Sequence, residues 1–151
     1  MDFAGHPGPE GTLDCMSSIR RHAPSVLAAA FAGSAIVHLV RPESFAAIMP
    51  RAIPEQHHRN LIYASGVAEA VCAVGLFHRR RWATPASVAM LASVFPANVQ
   101  MALDAGSGRN PGAADRPLVA WGGLPLQIPM VWAALQGRPR PQGTATAATL
   151  A

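Results

Sequence analysis

The sequence predicts an all-α integral membrane four-helix bundle, and three observations predict it. Half of the 151 residues are apolar and 13% are charged, against roughly 25% charged in soluble domains, so the deficit falls on the residues that make a surface soluble. Four apolar runs, separated by segments that hold every arginine, are long enough at about 1.5 Å per residue to approach or cross a hydrocarbon core of roughly 30 Å. Each run also carries an interior polar side chain: His38, Glu69, Asn98 or Gln127. The expected organisation is a disordered cytoplasmic leader at 1–22, a bundle at 23–135 with spans at about 23–40, 61–77, 83–103 and 118–135, and a disordered cytoplasmic tail at 136–151.

The leader is polar and punctuated by Gly and Pro, and it ends in Arg20, Arg21 and His22. It lacks the charged start and apolar run of a signal peptide. In the first span Ala30, Ser34 and His38 recur every four residues and share one face, with Ala35 beside them. Small residues of this kind let a neighbouring helix approach closely. The connection 41–60 holds Pro42, Pro50 and Pro54, and a short helix after Pro42 would place Phe45, Ile48 and Met49 on one side, covering the end of the bundle. His57 and His58 within it are read as polar loop residues, and no metal site is expected.

The second span, LIYASGVAEAVCAVGLF, surrounds Glu69 with Ser65, Gly66, Cys72 and Ala73 at helical spacing. A mid-span carboxylate costs roughly 2.5–3.5 kcal/mol on insertion scales unless it is neutral or paired, so something in the chain must face it. Arg79, Arg80 and Arg81 end this segment. The third span is interrupted by Pro96, which removes a backbone hydrogen bond and predicts a kink or a bound side chain near Asn98. The fourth holds Gly122, Gly123, Pro125 and Pro129, an irregular helix around Gln127. Seven arginines lie on the side shared by the leader, the 78–82 loop and the tail, and five on the other. That bias places both termini in the cytoplasm. With no basic stripe interleaved with aromatics, no nucleic-acid partner is expected.

Counted from the outer ends of their spans, His38, Asn98, Glu69 and Gln127 all fall between the outer surface and the midplane. They are the expected ligand-binding set, a shared polar pocket opening outward with the 41–60 connection as its lid. Glu69 either ionises against a protonated His38 or stays neutral and donates a hydrogen bond, and these two are the candidate proton-exchanging, catalytic residues. Asn98 and Gln127 offer both donors and acceptors for a carbonyl or hydroxyl group. Together the four suit the polar head of a lipid-soluble molecule such as a quinone. Amides and small residues also serve as glue between membrane helices, so each has a structural reading beside the functional one. No nucleophile elbow supports a Ser/His/Glu triad, and no polar chain continues below Glu69 toward Arg79, which argues against a transporter.

Four stretches, Phe31–Pro50 (FAGSAIVHLVRPESFAAIMP), Tyr63–Leu76 (YASGVAEAVCAVGL), Phe95–Met101 (FPANVQM) and Leu124–Trp132 (LPLQIPMVW), resemble in order the DoxX-like family of small four-span bacterial membrane proteins. The resemblance implies a four-helix membrane bundle and an association with oxidoreductase systems, some relatives being subunits of quinone-linked redox complexes; the wider group also resembles a receptor-assembly chaperone that performs no reaction. The expectation is therefore a multi-pass protein of the bacterial inner (plasma) membrane, in contact with lipid. It would be a subunit of a quinone-linked oxidoreductase with a soluble redox protein partner, no intrinsic cofactor and no independent catalytic motif. The alternative is a non-enzymatic assembly or scaffold protein.

Overall fold

A computed structural model of the chain describes residues 9–138. Helix α1, Pro9–Val40, begins well before the expected Ala23. Residues 9–22, expected to be a disordered leader, are helical; residues 1–8 and, in the expected tail, 139–151 lie outside the described part. Extending an existing helix fixes one residue per added hydrogen bond, whereas starting one is costly, so Leu13, Met16 and Ile19 continue the helix that the apolar run secures. At about 1.5 Å per residue, α1 is longer than a bilayer core is thick, and its first turns reach beyond it. Pro24 sits inside this helix, fully buried.

Helix α2, Glu43–Ala46, follows Pro42, which occupies its N-cap. The chain then turns through Ile48 and Met49, whose amides donate to the Phe45 and Ala46 carbonyls at 3.2 and 3.4 Å. Helix α3, Glu55–Phe77, starts earlier than the expected Leu61. Pro54 in extended backbone sets its entry and Glu55 stands in its first turn, where a negative charge opposes the helix dipole. His57 and His58 are thus helical; the His58 ring nitrogen Nε2 meets the Ile53 carbonyl at 2.8 Å. Helix α3 ends with Arg79 at φ +51°, the Arg80 amide reaching back to the Gly75 carbonyl and the Arg79 amide to that of Leu76, a Schellman closure. The Arg79 guanidinium donates to the Arg21 carbonyl at 3.0 Å. That bond fixes the end of α3 against α1. Helix α4, Ala83–Asp104, carries Pro96 inside it, and after a 3-10 turn at Gly112–Asp115 helix α5, Pro117–Gln136, contains Pro125 and Pro129.

Consecutive long helices run antiparallel. Helix α1 packs chiefly on α3, and α4 chiefly on α5. The outward faces are apolar: Leu118 is 88% exposed, Ile128 73%, Val40 70% and Phe77 70%. A soluble fold buries such side chains, and all four long helices are long and apolar enough to cross a membrane. The protein is a multi-pass membrane protein with an all-α bundle.

The core is unevenly distributed, and this positions the site. Leu27, Ala28, Phe31, Cys72, Ala73, Leu76, Ala83, Met90, Leu91, Ala133 and Ala134 form one connected cluster, in the half of the bundle that holds the 78–82 connection. There Gly75 lets Trp82 and Ala83 approach; a Cβ on Gly75 would lie 2.6 Å from the Trp82 ring and 2.9 Å from the Ala83 Cβ. In the other half Ala35 and Ile62, on α1 and α3, and Ala102 and Ala120, on α4 and α5, are buried outside that cluster. Between those two helix pairs the bundle is hollow.

Candidate functional site

The hollow is a cavity of about 520 Å³. Its walls are mainly apolar, from Phe31, Ile62, Met90, Leu91 and Val94, and all four expected residues line it: His38, Glu69, Asn98 and Gln127. Phe45, Ile48, Met49, Pro50 and Ile53 line its end at the 41–54 connection. The 41–54 connection is therefore the lid that the spacing of Phe45, Ile48 and Met49 indicates. Ala30 and Ser34, on the face of α1 that carries His38, line the cavity with it.

Of the four, only His38 and Glu69 form an ion pair, at 3.3 Å between Nδ1 and Oε2, and both are buried. Gly66 makes this possible: a Cβ there would lie 2.8 Å from the His38 Cβ, so only a bare backbone lets α3 come this close to α1 one turn before the acid. His38 Nδ1 also lies 3.0 Å from the Ser34 carbonyl. A carbonyl only accepts, so the proton sits on Nδ1. The ring is stacked on Phe45, centroids 3.6 Å apart and planes within 14°. His38 is thus held on three sides and does not reach toward interfacial water. Glu69 Oε2 approaches Nδ1 outside hydrogen-bond alignment and has no hydrogen-bond partner, which leaves it an acceptor for something placed in the cavity. Ser34 Oγ, at 3.4 Å, faces the same Nδ1. A Ser-His-acid relay needs hydroxyl and carboxylate on opposite ring nitrogens, so these residues do not form one.

Gln127 plays two parts. Its Nε2 donates to the Leu91 carbonyl of α4, one residue before Ala92, whose carbonyl loses its usual donor at Pro96. Gln127 thus reaches across from α5 to the turn of α4 that precedes Pro96, although not to the carbonyl that Pro96 frees. Its Oε1 is buried with no partner. Asn98 stands on the cavity wall half-buried.

Two features escape a reading of the sequence. Asp104, placed by composition in a Gly/Pro/Asp loop, is instead the buried last residue of α4. Its carboxylate accepts from Arg51 at 2.5 Å, Arg109 at 3.2 Å and Gln100 at 2.7 Å. Arg51 belongs to the lid segment, so this cluster ties the lid to α4 across the open half of the bundle. The spacing of Gln100 and Asp104 is the available signal; Arg51 lies too far along the chain for any local pattern to reveal. We expect Asp104→Ala to free the lid, seen as severalfold faster tryptic cleavage after Arg51 in detergent-solubilised protein with the bundle intact. Unchanged cleavage would mean that the apolar contacts of Ile48 and Met49 hold the lid alone.

The second feature is a pair of buried hydroxyls on the Arg79 side of Glu69, which are not joined into a polar chain. Helix α4 supplies Ser87, fully buried with Oγ unpartnered, and Thr84, whose Oγ1 donates to the Ala134 carbonyl at 3.1 Å. Both stand at the level of the core that contains Cys72, on the Arg79 side of Glu69. Among the described residues no group of three metal-ligating side chains occurs.

A family model described as a domain of unknown function, DUF8561, matches residues 27–138. The chain belongs to the DUF8561 family. The match opens at Leu27, the first aliphatic core residue of α1, and closes just beyond α5, so the whole cavity and its lid lie inside the DUF8561 region while the early turns of α1 precede it. No curated protein and no solved structure matches the chain.

Proposed function

We propose that the bundle binds the polar head of a quinone-like, lipid-soluble molecule in this cavity and serves as the membrane subunit of a redox system whose soluble partner exchanges the electrons. One observation carries the reading: an apolar-walled cavity of about 520 Å³ to which all four long helices contribute polar side chains, among them two buried acceptor atoms without partners, Glu69 Oε2 and Gln127 Oε1. Unpaired buried acceptors cost about 1–3 kcal/mol each, and the reduced, quinol form of such a ligand, whose hydroxyls donate, removes that cost. The size and lining are those of small-molecule sites. A quinone supplies reversible two-electron, two-proton chemistry when bound. The residues supply the rest: Glu69 and His38 exchange protons with the head group, Asn98 and Gln127 orient it, and the Phe45–Ile53 lid keeps water out.

The resemblance of the polar segments to the DoxX-like family supports the same reading. That resemblance also supports a bacterial inner-membrane protein, and the arginine bias supports both termini cytoplasmic with the cavity opening outward. Native mass spectrometry with lipid extraction on detergent-purified protein tests the proposal. The expected result is a co-purifying quinone or related small hydrophobic molecule in the wild type that is lost in Glu69→Ala. An empty wild-type cavity, or a protein partner in its place, would overturn it in favour of a non-enzymatic assembly or scaffold protein.

A further inference from the structure

A second depression of about 590 Å³ lies along the seam between α4 and α5, lined by Val88, Ala92, Phe95, Leu124, Ile128 and, at its boundary, Gln127. Apart from Gln127 it is wholly apolar. Phe95 is 44% exposed and Ile128 73%, so the groove opens where lipid surrounds the bundle. From Val88 to Phe95 it follows α4 for about 10 Å of helical rise.

Gln127 lines both this groove and the cavity, and is therefore the partition between them. The helices at that level carry three interior prolines. Pro125 and Pro129 flank Gln127 on α5, and Pro96 interrupts α4; each removes an intrahelical hydrogen bond. At this level the seam is crossed by the bond from Gln127 Nε2 to the Leu91 carbonyl, while the Thr84–Ala134 bond lies at the other end of the two helices; rotation of the glutamine side chain breaks the first without moving a helix.

We propose that the α4–α5 groove holds the hydrocarbon tail of the same ligand whose head group occupies the cavity, with Gln127 as the side chain that the ligand passes on entering from the bilayer. The proposal rests on the head-group reading above. It assigns a long-chain amphiphile, since a compact polar solute would make no use of the groove. It also gives the groove one occupant, because it meets the cavity at Gln127 and is open to lipid.

The test compares a decyl-substituted benzoquinol with its tailless parent, binding measured by native mass spectrometry on the full chain in detergent. Wild type is expected to prefer the decyl compound severalfold, from packing of the tail along the groove, since a tail arriving from detergent gains nothing by leaving water. Ala92→Trp fills the groove from its lipid-facing side and should abolish that preference while leaving the parent compound bound within about twofold. Ile128→Ala, a truncation on the exposed face, should reduce the preference severalfold and guards against misfolding of the bulkier variant. Tail preference retained in both variants overturns the tail site and leaves the head-group reading standing. Equal loss of both compounds also overturns it, because a tail site cannot act on a compound without a tail. Wild-type protein that binds neither compound overturns both readings.

Discussion

His38→Leu is expected to lower the unfolding free energy of the bundle in mixed micelles by about 3–5 kcal/mol, the usual result of breaking a buried ion pair by removing one partner. His38 and Glu69 are 7% and 5% exposed, and His38 Nδ1 lies 3.3 Å from Glu69 Oε2. Take the imidazole away and the carboxyl group is left in an apolar wall with no ionisable partner. Leucine keeps most of the volume against Phe45, so the loss reports on charge more than on packing. The double variant His38→Leu/Glu69→Leu should recover most of the stability, because well-packed apolar pairs replace buried ion pairs at little or no cost. Glu69→Gln should lie near wild type, as the amide hydrogen-bonds without charge. If His38→Leu alone is neutral, Glu69 is protonated in the folded bundle, and the pair acts through a hydrogen-bonding acid instead of an ionised one.

The second large effect is steric. Gly66→Leu should destabilise the bundle by about 1–3 kcal/mol or more, as overpacking of a filled contact does, and should displace the cavity wall with it. A Cβ at this position would lie 2.8 Å from the His38 Cβ and 3.4 Å from the Ala35 carbonyl oxygen. Neither is the free end of a flexible side chain, so α1 and α3 must separate, and the His38–Glu69 distance grows. Gly66→Ala should show a smaller loss of the same sign. Gly123, also on the cavity wall, has nothing within 4 Å of its ideal Cβ, and Gly123→Ala should leave stability unchanged. Thermal unfolding of the three variants in one detergent checks the contrast; equal effects at the two glycines would show that helix propensity, not close approach, governs both.

These two predictions rest on different amounts of sequence information. Glu69 announces itself, because a carboxylate in a spanning run is expensive wherever it lies, and the four-residue spacing of Ala30, Ser34 and His38 already puts them on one face. The lid is legible for a similar reason: Pro42 starts a turn, and Phe45, Ile48 and Met49 then fall on one side. The early start of α3 misleads, since its polar first turns carry no apolar period and read as loop. Residues 9–22 mislead likewise, because Gly and Pro in a polar segment suggest disorder while helix propagation from a secured span overrides local composition.

By itself, then, the sequence determined the all-α membrane bundle, the identity of the polar residues and the depth at which each would lie, because hydropathy and helical period are local properties of the chain. Only the tertiary structure decided which of them touch. The approach of α3 to α1 at Gly66 joins Glu69 to His38; Gln127 turns instead to the Leu91 carbonyl of α4; Arg51 finds Asp104 from fifty-three residues away. Each of these depends on a distance between helices, which the packing of small residues fixes and no local pattern records.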